Sequence, residues 1–279
     1  MLGQRVITAV VLLALLLPSL LVATPWPFAL LTLLLIAAAG WEWSRLNGVA
    51  TIAALGPGAL LALAGLWAVH TGSVTRMPSA VWAGAAVAWL AIGALALRAG
   101  PAGWSRWPAV IRLALGLLAL WVGWLALALA RSMGVNFLLS ALCLVWAADI
   151  GAYAAGRALG RRKLAPTISP GKSWEGVAGG MLSVLALALL WVLLIDRQWP
   201  VDSASLYTRL VERFGWAGLI PLAVGLAGFS VVGDLFESLV KRAAGAKDSS
   251  RLLPGHGGVL DRIDALLPVL PIALALVTL

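Results

Sequence analysis

The sequence predicts an all-α, polytopic membrane protein of about nine spans, with eight as the alternative count. Three observations carry that expectation. First, 62% of the residues are hydrophobic and only 11% are charged, against roughly 45–50% apolar and about 25% charged in a soluble domain. An excess of that size has to face lipid. Second, the apolar residues come in runs of about 20, the length that carries a helix across a hydrocarbon core. Third, Leu/Ala runs such as Leu182 to Leu194 lack the polar alternation of a membrane β-strand. Helices remain, because backbone groups in lipid must bond within their own segment.

The expected spans are 6–23, 26–43, 50–70, 79–97, 108–130, 135–156, 176–195, 216–239 and 263–279. The first begins beside Arg5 and runs into further membrane sequence without a clear small-residue cleavage site, so a retained anchor is expected rather than a signal peptide. The second is short, and the last is cut by Pro268 and Pro271. Gly and Pro mark the links, as in Gly100-Pro101-Ala102-Gly103. Trp26, Trp41, Trp43, Trp104 and Trp107 fall near span ends, where an interfacial aromatic belt accounts for them. Cys143 is the sole cysteine, which excludes an internal disulfide.

The net charge of +9 would suggest nucleic acid in a soluble protein, but here topology explains it and no nucleic-acid partner is expected. Lys and Arg concentrate in cytoplasmic loops. With the N-terminus inside, fifteen of the 20 basic residues fall on the cytoplasmic side, Arg5 among them. Arg76, Arg131, Arg197, Arg209 and Arg213 fall outside. Loops 157–175 and 240–262 then lie on the cytoplasmic side, where soluble nucleotides are.

Of the 11 acidic residues only Glu42 precedes Asp149. An ionisable residue in an apolar span is costly unless it is paired or functional, which singles out Asp149, Asp234 and Glu237. A structural pair with a nearby Lys or Arg is the bland alternative for each. At about 100° per residue, Asp234, Ser238 and Lys241 share one helix face, with Glu237 on its flank. A polar stripe on an apolar helix should face a cavity.

The stretch that follows holds Lys241-Arg242, Lys247-Asp248, His256-Gly257-Gly258 and Asp261-Arg262-Ile263-Asp264. Asp261 and Asp264, at i and i+3, offer hard oxygen donors of the kind magnesium takes together with substrate phosphates. Lys241, Arg242, Lys247 and Arg262 offer charge to phosphates. The glycines allow close backbone approach. His256 suits phosphate binding, proton transfer or a hydrogen bond to the glycine turn. A second polar stretch, Ser169-Pro170-Gly171-Lys172-Ser173, forms a Pro/Gly-shaped turn that presents a lysine and hydroxyls before a helix. It lacks the spacing of a Walker P-loop.

These residues resemble the signature of the phosphatidate cytidylyltransferases, the CDP-diacylglycerol synthases. That pattern has Ser238, Lys241-Arg242, Lys247-Asp248, His256-Gly257-Gly258 and Asp261-Arg262-Ile263-Asp264 at matching spacing, with Asp149-Ile150-Gly151-Ala152-Tyr153 and Lys163 to Gly176 as the family's other motif. Ser173 stands where many relatives have Thr. The resemblance covers 145–279; before that it rests on hydrophobicity. It implies an enzyme that joins CTP and phosphatidate into CDP-diacylglycerol and pyrophosphate in a bacterial inner membrane. It also implies magnesium, a potassium ion as candidate for a second metal site, and a homodimer. On that pattern Asp149, Asp234, Asp261 and Asp264 are expected at metal, and Lys241, Asp261 and Asp264 at the chemistry. Lys172, Ser173, Ser238, Arg242, Lys247, Asp248, His256 and Arg262 are expected at substrate. Residues 1–134 become scaffold helices and 135–279 the catalytic region of one membrane domain. The rivals are an ion-coupled transporter, which should carry paired repeats, and a CTP-dependent lipid kinase.

Overall fold

The computed structural model describes residues 2–279, except the side chains of Leu2 and Arg5; the charge assigned above to Arg5 lies outside the described residues. The chain is helical almost throughout. Helices α1 (Leu2–Leu21), α2 (Trp26–Leu46), α3 (Leu55–His70), α4 (Ser79–Ser105), α5 (Ala109–Met133) and α6 (Val135–Leu159) form the first part. A small antiparallel hairpin, β1 (Lys163–Ala165) and β2 (Ser169–Ser173), leads into α7 (Trp174–Leu190), which continues through one π-type turn into α8 (Asp196–Gln198). The long α9 (Leu206–Ala243) is followed by a loop, a single turn α10 (Leu260–Ile263) and α11 (Leu266–Thr278).

Every expected span corresponds to a helix, but the count of about nine is not what length and composition support. Six described helices are long and apolar enough to cross a membrane: Trp26–Leu46, Ser79–Ser105, Ala109–Met133, Val135–Leu159, Trp174–Gln198 and Leu206–Ala243. The apolar stretch Val6–Leu21 and α3 are shorter. The 13 residues of α11 reach only about 20 Å at 1.5 Å per residue, less than a hydrocarbon core of about 30 Å. Two of the long helices are broken by glycine at positive φ. Gly100 (φ 67°) divides α4 and Gly215 (φ 69°) divides α9; Gly215 sits where the expected 216–239 span begins.

The tryptophan reading needs correction. Trp43 and Trp104 are buried at 3% and 0% exposure and form an aromatic cluster with Phe236 of α9, with ring centroids 5.3–6.1 Å apart. Trp43 Nε1 also donates to the Arg112 carbonyl. Packing of the large apolar rings against one another and Phe236 places both in the core, and nearness to a span end did not decide their place. Trp41, whose Nε1 donates to Thr51 O beneath the Arg45 guanidinium, does sit at a helix end.

Helices α6 and α7 pack closely because small residues face each other. A Cβ on Gly180 would stand 2.7 Å from Ala148 O, and one on Gly176 would stand 2.9 Å from Ala152 O. Small-residue seams let membrane helices approach this closely. The seam brings Asp149 and Tyr153 of α6 beside β2. At the opposite end of α6, Asp202 accepts from the amides of Val135 and Asn136, at 2.6 and 2.9 Å, and fixes the helix entry.

Candidate active site

The two polar stretches meet at one end of the bundle. The backbone of β2 brings Lys172 toward α9, where its ammonium forms an ion pair with Asp234. One turn along α9, Ser238 Oγ donates to Asp234 Oδ1 at 3.3 Å. Asp149, Tyr153, Arg157, Ser169, Lys172, Ser173 and Asp234 line a cavity of about 450 Å³. Of the expected polar face of α9, Asp234 lines this cavity, while Ser238 is bonded to Asp234 and Lys241 is paired away from it.

Farther along α9, Lys241 pairs with Glu237 and with Asp261, its Nζ 2.6 Å from Asp261 Oδ1. Two carboxylates thus surround one ammonium, and Glu237 is 3% exposed. Asp261 Oδ2 is equally engaged. It accepts from Gly258 N at 2.7 Å, Ser249 N at 3.0 Å and Ser249 Oγ at 2.9 Å. Burial alone would raise the Asp261 carboxyl. Hydrogen bonds from the Lys241 ammonium and the Gly258 amide help outweigh it and bring the group down to about 2.

The remaining expected residues separate by location. Ser173 is 5% exposed and caps α7, its Oγ accepting from Gly176 N at 3.1 Å. Arg242 donates to Ile168 O and Ala246 O, tying the hairpin turn to α9. Arg262 donates to His256 O at 2.6 Å. The His256 amide closes the glycine turn on Leu253 O, and its buried Nδ1 has no hydrogen-bond partner among the described residues. Lys247 and Asp248 lie apart from the Lys172 cavity, on a second cavity of about 680 Å³ shared with Trp41, Arg45 and Arg251. Asp264 lies where α10 meets α11, its Oδ1 accepting from Ala265 N at 2.8 Å.

Two of the signature glycines have a geometric reason. Gly257 has φ +88°, and a Cβ there would stand 2.8 Å from Asp261 Oδ2. A Cβ on Gly258 would run into the Ser249 hydroxyl and the Glu42 carboxylate.

Glu42 is the residue that sequence reasoning missed. It lies in α2 with 0% exposure, and its oxygens accept from Ser249 Oγ, Ser250 Oγ, Val259 N and Leu260 N. Its isolation as the one acid of the first half was the available signal.

The donor chemistry is compatible with a hard divalent cation. Asp149 and Asp234 line one cavity from α6 and α9, and the Asp264 backbone packs against Gly233, next to Asp234. Convergent carboxylates of this kind suit magnesium. Among the described residues no three His, Cys, Asp or Glu stand ready-made around one point; Lys172 supplies the counter-charge on Asp234.

Fold and site together define a polytopic helical membrane protein with paired lysines and carboxylates at one end, a class equipped to handle phosphate groups. A family model described as the cytidylyltransferase family matches residues 3–279. A phosphatidate cytidylyltransferase of Pseudomonas aeruginosa is 40% identical over 99% of this chain and 97% of its own length. One from Haemophilus influenzae is 39% identical over 97% and 96%, and one from Brucella suis is 45% identical over 51% and 48%. This chain belongs to the cytidylyltransferase family.

Proposed function

We propose that this chain transfers a cytidylyl group from CTP to phosphatidate, giving CDP-diacylglycerol and pyrophosphate. The observation that carries the reading is the convergence of Lys172–Asp234 and Lys241–Asp261 at one end of a lipid-facing bundle. A lipid phosphate can reach that position from the bilayer and a nucleotide from water. The full-length similarity to phosphatidate cytidylyltransferases supports it.

In the reaction a phosphatidate oxygen bonds to the α-phosphorus of CTP, and the bond from that phosphorus to the oxygen bridging to the β-phosphate breaks. The electron pair leaves with pyrophosphate. The attacking oxygen is already anionic at neutral pH, so no strong general base is needed. The barrier is largely the meeting of two anions, which preorganised positive groups lower. Lys172 and Lys241 are held by carboxylates before substrate arrives, so little reorganisation remains. Ser238 adds a hydroxyl on the same face, while Lys247 and Arg262 add positive charge. Arg242 and Ser173 shape the hairpin that presents Lys172, and His256 shapes the glycine turn beside Asp248. Asp149, Asp234, Asp261 and Asp264 would hold magnesium, and a potassium ion would take the second site. When bound, the metal neutralises charge on the attacking and leaving oxygens.

The protein is assigned to the bacterial inner membrane as a homodimer, with its N-terminus and the active site on the cytoplasmic side. Gly171 is exposed with open space around it, so Gly171→Cys in a Cys143→Ala background can report the side: an impermeant thiol reagent should label it only in inverted vesicles. The activity is tested with purified protein in detergent, labelled CTP, magnesium and phosphatidate. CDP-diacylglycerol and pyrophosphate should accumulate together. Absence of lipid-linked cytidylate would overturn the reading.

A further inference from the structure

Glu42 stands apart from the signature motifs, yet it is bonded to the longest of them. Its carboxylate is fully buried, and all four of its hydrogen-bond donors come from the segment between Ser249 and Leu260. Oε1 accepts from Ser250 Oγ at 2.5 Å and Val259 N at 3.0 Å. Oε2 accepts from Leu260 N at 2.7 Å and Ser249 Oγ at 3.2 Å. None of the three ion pairs among the described residues includes Glu42. A carboxylate that only helped helices pack would bond to neighbouring helices. This one reaches across more than 200 positions of sequence, 207 to 218 for these four bonds, to a single loop.

Ser249 links Glu42 of α2 to Asp261. Its hydroxyl lies 3.2 Å from Glu42 Oε2 and 2.9 Å from Asp261 Oδ2, while its amide also serves Asp261. A serine hydroxyl has one proton to donate, so the two carboxylates compete for it. Gly258, whose amide donates to Asp261 Oδ2, leaves the space that lets Glu42 and Ser249 meet.

We propose that Glu42 is a positioning residue for the transfer reaction: from the N-terminal half it fixes the 249–260 segment, and through Ser249 and Gly258 it sets where Asp261, and with it the Lys241 ammonium, is held. Glu42 itself touches no substrate. The proposal rests on the cytidylyltransferase reading for its kinetic consequence, but not for its structural one.

The test is Glu42→Gln in the full-length protein, measured by amide hydrogen exchange and by steady-state kinetics. Glutamine keeps the size but places an NH2 where two of the four donors point. Exchange at Val259 and Leu260 should speed up while the hairpin at 163–173 stays unchanged. A displacement of about 1 Å at a reacting group can cost about 100-fold, so kcat should fall by that order with both KM values within about threefold of wild type. Glu42→Asp, which keeps the charge, should recover part of the kcat. Ser249→Ala added to Glu42→Gln should cost less than it does alone, because both act through one bridge. Should Glu42→Gln fail to fold, Ser250→Ala removes one donor and leaves the carboxylate in place; it should lower kcat without raising either KM. Localised exchange with wild-type kcat would overturn the positioning role, and so would exchange that rises across all helices alike. Loss of local protection in a protein whose wild type makes no CDP-diacylglycerol would leave the clamp standing and sink only the assigned reaction.

Discussion

Lys241 Nζ donates to Asp261 Oδ1 at 2.6 Å, joining the end of α9 to the α10 turn 20 residues later. The carboxylate is bonded on both oxygens, so its replacement disturbs the ammonium and the glycine loop together. Asp261→Asn keeps the shape but removes one of the two carboxylate charges that hold Lys241. CTP-dependent pyrophosphate release should drop by at least about 100-fold, with the protein still eluting as a folded species in detergent. Near-normal turnover would remove Asp261 from the chemistry.

Lys172 and Asp234 are paired across the cavity with side chains 25% and 30% exposed. Lys172→Met should leave Asp234 without its counter-charge and lose a phosphate contact, lowering kcat/KM by roughly 100-fold. Lys172→Arg should recover only part of that, since a planar guanidinium does not replace a compact ammonium. Wild-type activity in Lys172→Arg, with Lys172→Met impaired, would show that charge alone matters at this position.

Gly258→Ala should be more damaging than an exposed Gly→Ala change. The added methyl runs into the Ser249 hydroxyl and Glu42, and overpacking a buried site costs about 1–3 kcal/mol. The expected readouts are a lower unfolding temperature and loss of turnover. Gly171→Ala, with nothing near its Cβ, is the matched control for the melting measurement.

Asp202 gives a pH test away from the site. Its slight burial favours a higher pKa, but the amides of Asn136 and Val135 and the Ser203 hydroxyl outweigh this and lower it. A group depressed in the folded state contributes stability that is present above its unfolded value, about 3.9, and lost as pH falls through its folded value. Asp202→Asn should therefore melt below wild type at neutral pH, and the gap should close as pH drops below about 4. A gap that is constant with pH would mean that the carboxylate charge is not what holds α6.

Much of the site was legible because its residues are polar in an apolar chain. Asp149, Asp234 and Glu237 stand out wherever lipid surrounds them, and the spacing of Asp234, Ser238 and Lys241 already placed them on one face. The Gly100 and Gly215 breaks were equally readable in outline, since the expected spans stopped or started beside them. The pairing was not legible. Nothing in the linear order says that Lys172 meets Asp234 while Lys241 meets Asp261, or that Ser173 turns inward as a helix cap.

The sequence by itself determined the solvent, the helical class and the family signature, because hydropathy and motif spacing are local properties of the chain. Only the tertiary structure decided which helices have the length to span, that Trp43 and Trp104 belong to the core, and that Glu42 of the first half holds the loop of the second. Those facts depend on packing between segments far apart in sequence. A buried carboxylate takes its partners from whichever donors the fold brings to it.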